Sequence, residues 1–117
     1  MSPRLIRASG VRVNEYLCLT ILGNPDESDA GLKARLAVFW THMIRNKPDE
    51  YERVYAEATQ FGSTDGRVSR QYMVEADAID VLTAELSAGG LAYADIDRDD
   101  TYSKYEASGS EWFQIEH

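Results

Sequence analysis

The residues of this 117-residue chain best suited to chemistry lie in one short stretch, Asp95-Ile96-Asp97-Arg98-Asp99-Asp100-Thr101-Tyr102-Ser103-Lys104-Tyr105-Glu106. Carboxylates at its first, third and fifth places, a hydroxyl at the ninth and a carboxylate at the twelfth offer hard oxygen donors at a spacing that can wrap a divalent cation. Four aspartates within six residues also repel one another, which favours a positively charged counterpart, whether a cation or a basic protein surface. Carboxylate pairs for hydrolysis can be drawn from the same cluster, but no neighbouring base or positioned donor accompanies them.

The stretch resembles an EF-hand calcium loop, and the resemblance implies Asp95, Asp97, Asp99, Ser103 and Glu106 as calcium ligands. It departs from that pattern at Asp100, where glycine makes the sharp turn, and at Tyr102, where an aliphatic residue is usual. Gly89-Gly90 and Ser108-Gly109-Ser110 interrupt the helices that would flank it. The competing expectation is a β-hairpin whose turn, Asp97 to Asp100, is closed by Asx-type hydrogen bonds.

Other reactive groups are sparse. Cys18 is the only cysteine, which excludes an intramolecular disulfide and a cysteine zinc cage, and it reads as a small hydrophobe within a strand. His42 and His117 are the only histidines and are expected to be exposed, so a triad or a facial metal site has little to draw on. No glycine-rich phosphate loop and no H-E-x-x-H pair occurs. The chain is expected to be non-catalytic and to need no cofactor.

Charge is the stronger signal. The net charge is −8, and its distribution is lopsided. Met1 to Val74 carries ten basic and nine acidic residues, whereas Glu75 to His117 carries two basic and eleven acidic ones. Arg4, Arg7 and Arg12 make the first fourteen residues purely basic. An acidic final third repels phosphates, so nucleic acid is not expected as a partner there. No apolar run reaches the roughly 18 residues of a membrane span, and the N-terminus lacks a signal-peptide core, so a cytoplasmic location is expected by default.

The elements that must position these residues follow from periodicity. One domain is expected over residues 1–117, with 1–10 as an arm or a short edge strand. Val11 to Leu22 alternates as a half-buried strand ending at Gly23-Asn24-Pro25. Leu32 to Ile44 is the core helix: Leu32, Leu36, Phe39, Trp40 and Met43 form a broad apolar stripe with Ile44 and Ala37 at one edge, Arg35, His42 and Asn46 a flank, and Val38 falls on the far side. Asp26, Ser28 and Asp29 are candidate caps. A second helix is expected over Pro48 to Phe61, a strand over Arg67 to Val74, a helix over Glu75 to Ala88, and strands over Leu91 to Ile96, Thr101 to Glu106 and Trp112 to Glu116. The expected architecture is α+β, a mostly antiparallel sheet of four to five strands with about three helices on one face, in the order β-α-α-β-α-β-β-β.

These readings lead to a small acidic binding or inhibitory protein, of the immunity or nucleic-acid-mimic kind. It would engage a basic protein surface through Asp95, Asp97, Asp99, Asp100, Tyr102, Tyr105 and Glu106, with no nucleic acid or membrane as partner. The alternatives are a calcium-binding domain using residues 95–106, and a small-molecule-binding or enzymatic α+β domain with a pocket between sheet and helices, dimeric through its sheet.

Overall fold

The computed structural model describes residues 15–99 and 112–114. The chain runs β1 (Tyr16–Leu22), α1 (Asp29–Asn46), α2 (Pro48–Tyr51), β2 (Val54–Thr64), β3 (Arg67–Glu75), a 3₁₀ turn (Ala76–Ala78), α3 (Ile79–Ala88), β4 (Ala92–Tyr93) and β5 (Trp112–Gln114). The strands form one sheet in the order β4-β1-β3-β2-β5, and every pairing is antiparallel. The fold is α+β. Its first four strands and two long helices follow the split β-α-β plan, in which β1 and β3 lie side by side at the centre.

The alternation read in the first strand decides which sheet face is dry. Leu17, Leu19 and Ile21 of β1 stand opposite Val74, Tyr72 and Arg70 of β3, and Val54 and Ala56 of β2 continue the first two rows. Onto this face α1 sets Leu32, Leu36, Phe39, Trp40 and Met43, and α3 sets Ile79, Leu82 and Leu86, all within one buried cluster. Each such side chain contributes about 1.5–3 kcal/mol by leaving water. Val38 on the far side of α1 is 73% exposed. Cys18 lies on the opposite face of β1 and is half-buried.

Among the three candidate caps, Ser28 takes the role, its Oγ accepting the Gly31 N–H at 3.0 Å. Glu27 beside it accepts the Asn24 N–H at 2.9 Å and binds Arg35 of α1 in a fork, Nε at 2.9 Å and Nη2 at 2.7 Å. The loop before α1 is thereby closed on the helix. Gly23 allows this chain path to approach β3, because a Cβ there would stand 2.6 Å from Val68 Cγ2.

The Arg35 hydrogen bonds, then the Asn24 N–H, hold the Glu27 carboxyl at about 2 against an ordinary 4.5. A lowered folded value means stability that is whole above 4.5 and lost as pH falls toward 2. Arg35 is 32% exposed, so solvent screening reduces the contribution to about 1–2 kcal/mol. Glu27→Gln is expected to lower stability in urea by that amount at neutral pH and to flatten the stability loss between about pH 5 and pH 2. An unchanged acid profile in the variant would show that the fork contributes nothing.

The second helix differs from expectation. It is a single turn, Pro48–Tyr51, and residues 54–64 form β2 instead of continuing it. Tyr51 turns its ring to Trp40 at 6.0 Å, while Val54 and Tyr55 lie on opposite faces of a strand, not on one helical stripe. The reason is the hairpin: Asp65 and Gly66 have φ of 53° and 75°, the two positive values of a type I′ turn, which forces β2 back against β3. The strand expected over Leu91 to Ile96 shortens to Ala92–Tyr93. The expected strand over Thr101 to Glu106 lies outside the described residues.

Candidate functional sites: an acidic edge and an inter-helix cleft

The acidic edge begins where β4 leaves the sheet. Tyr93 pairs with Ile21, and the Ala94 N–H donates to Thr20 O at 2.9 Å. Ile96 then packs against the core cluster, so its neighbours Asp95 and Asp97 face solvent. Asp97 Oδ1 accepts the Asp99 N–H at 3.0 Å, an Asx-type bond of the kind expected for a turn here. Arg98 Nη2 donates to Asp80 Oδ1 at 2.8 Å and ties the segment to α3. Asp77 lies about one turn before Asp80, and both are exposed. The Arg98 bond thus brings the exposed segment Asp95–Asp99 against Asp80, with Asp77 one turn before it.

A strand and an irregular stretch, not a helix, lead into Asp95. Of the calcium ligands that the loop resemblance implies, Asp95, Asp97 and Asp99 are described, while Ser103 and Glu106 lie outside the described residues. So do Asp100, Tyr102 and Tyr105 of the expected partner surface. Among the described residues, no group of three His, Cys, Asp or Glu side chains is placed to hold a metal ion.

The second feature is a cleft of about 500 Å³ between α1 and α3. It lies between helices, where a pocket between sheet and helices was the expectation. Phe39 and Leu91 form its floor, and Val38 and Ala88 its apolar rims. Leu91 is fixed there by the end of α3: Gly90 takes a φ of 76°, and the Leu91 N–H reaches back to Leu86 O at 2.9 Å.

One polar network crosses the cleft. His42 Nε2 lies 2.6 Å from Glu85 Oε1, and Asn46 Nδ2 lies 3.0 Å from the His42 carbonyl and 3.1 Å from His42 Nδ1. A carbonyl can only accept, so the Asn46 atom facing it is the amide nitrogen, and the same nitrogen donates to Nδ1. The ring proton then belongs on Nε2 and points at Glu85. Both imidazole nitrogens are engaged. Periodicity had placed Arg35, His42 and Asn46 on one flank of the helix, and they do share it. His42 itself is 46% exposed and bound to α3, a partnership across 43 residues that helical spacing could not signal.

Comparison with protein-family models, with curated proteins and with solved structures gives no match. Among the described residues no helix is long and apolar enough to cross a membrane.

Proposed function

We propose that this protein is a non-catalytic binding protein that engages a basic protein surface through its acidic edge, as an inhibitor of the immunity or nucleic-acid-mimic kind does. The observation that carries the reading is the imbalance of exposed charge. Asp77, Asp80, Asp95, Asp97 and Asp99 are all exposed, and the cation among them, Arg98, is already paired with Asp80. Such a surface raises encounter rates with a basic partner and rejects acidic ones.

The test begins with affinity capture of a partner from the native host. Asp95→Asn, Asp97→Asn and Asp99→Asn combined should then weaken that complex by about 10–100-fold, mainly through a slower association rate. The salt dependence of binding should become shallower. Thermal stability of the variant should stay within about 0.5 kcal/mol, because all three side chains are exposed. Binding that survives the triple change unaltered would refute the reading.

A further inference from the structure

The cleft between α1 and α3 is separate from the acidic edge, and its charges can be accounted for one by one. Arg35 on its wall is bound through two of its nitrogens to Glu27, so its charge is already neutralised. His42 has both ring nitrogens engaged. Glu85 uses Oε1 for His42, and among the described residues its Oε2 has no partner, although the side chain is only 24% exposed. The unspent charge in the lining is therefore negative. It sits beside an apolar floor, Phe39 and Leu91, that is itself braced from behind by Trp40, whose ring centroid lies 5.0 Å from that of Phe39.

A concave space of about 500 Å³ falls within the size range of small-molecule sites, roughly 300–1,000 Å³, which are mostly apolar with a few fixed polar groups. A carboxylate oxygen held in such a place favours a charge-assisted hydrogen bond from an ammonium over a bond from a neutral donor, and it repels an anion. We propose that this cleft is a binding site for a small organic amine, its protonated nitrogen on Glu85 Oε2 and its apolar body on Phe39 and Leu91.

Two substitutions separate this from simple hydrophobic adsorption. Glu85→Gln keeps an acceptor for the His42 N–H and replaces the charged Oε2 with an amide NH2, which cannot accept from an ammonium. Gly89→Leu fills the space. Gly89 has φ −87°, open to any residue, and a Cβ there meets Glu85 O at 3.4 Å and Phe39 Cδ1 at 3.9 Å, ordinary contact distances.

The experiment is a ¹H–¹⁵N NMR titration of the full chain with 2-phenylethylamine, 2-phenylethanol and 3-phenylpropanoate. The amine should give saturable shifts at amides of residues 38–42 and 85–91, with an affinity about tenfold above the alcohol and the acid. In Glu85→Gln the amine should fall to the level of the alcohol, and in Gly89→Leu all three should lose the effect. An alcohol or acid that binds as well as the amine would overturn the proposal. So would an amine affinity indifferent to Glu85→Gln, shifts confined to residues 95–99, or no saturable binding. The acidic edge is tested separately, through its binding to a protein partner.

Discussion

Trp40→Ala is expected to destabilise the protein by about 3–5 kcal/mol, the range for removing a large aromatic ring from a well-packed core. Trp40 is 2% exposed and lies where α1, α2 and the sheet meet. Its ring stands edge-on to Phe39 at 5.0 Å and to Tyr72 of β3 at 5.3 Å, and lies 6.0 Å from Tyr51 of α2. Removing it leaves a cavity bounded by three aromatic faces that cannot all move inward, so relaxation recovers little. Burial raises the Tyr72 phenol above its ordinary value, with the Trp40 indole and the Arg70 charge opposing. Opening this space to water should therefore bring Tyr72 titration down toward 10, a change ultraviolet absorbance can follow. Urea unfolding of Trp40→Ala and Trp40→Phe would check the energy, with phenylalanine recovering a substantial part of the loss. A cost below about 1 kcal/mol for alanine would mean that the site collapses freely and that the aromatic cluster does not set the helix position.

Helical periodicity made the buried stripe of α1 legible, while Ile44 and Ala37, which it places at the edge of that stripe, are exposed. The stripe Leu32, Leu36, Phe39, Trp40 and Met43 is buried, and Val38 is outside, because a single long helix against a sheet has only one way to hide five large side chains. The strand β1 was legible for the same reason, with a period of two in place of 3.6. A helix is expected over residues 48–61 because Pro48, Asp49 and Glu50 are a sound helix start, and Tyr51, Val54, Tyr55, Ala58 and Phe61 fit a helical stripe. What ends that helix after one turn is a pairing with β3, whose register no local spacing reveals. The signal that could have found it was Asp65-Gly66, a dipeptide that demands a strand on each side.

The candidate functional residues were legible only where they were local. The Asp95, Asp97, Asp99 alternation around Ile96 was visible as a charge run, and the Asx-type bond at Asp97 was the expected turn chemistry. Asp77 and Asp80 were visible as acids near the start of a helix, where a structural explanation suffices. Their nearness to the later segment comes from the Arg98 contact, and only the fold supplies it. The cleft was not legible at all. Its two walls come from helices whose facing residues His42 and Glu85 lie 43 residues apart, and its polar groups, Arg35, His42 and Glu85, are of types that any exposed helix carries.

The position of α1, and with it one wall of the cleft, rests on a second anchor whose loss should be nearly as costly. Arg70 of β3 is 5% exposed and sends its Nη2 to Asp29 at 3.0 and 2.9 Å, in the first turn of the helix. Asp29 thus offsets two positive features at once, a buried guanidinium and the N-terminal end of the helix dipole. Breaking a fully buried pair costs about 3–5 kcal/mol, and because Asp29 is 54% exposed, water can take part of its place, so Asp29→Ala is expected to cost about 2–3 kcal/mol. Asp29→Asn keeps an acceptor but not the charge and should cost less. If Asp29 acts mainly by offsetting the Arg70 charge, the loss in Asp29→Ala/Arg70→Met should fall short of the sum of the two single losses. Additive losses in the double variant would instead mean that the two side chains stabilise the fold independently. Urea midpoints for these variants and for Arg70→Met alone decide between these outcomes. ¹H–¹⁵N spectra of Asp29→Ala should show shifts at amides of residues 38–42 when the far end of α1 is released, as a rigid helix carrying the cleft wall requires.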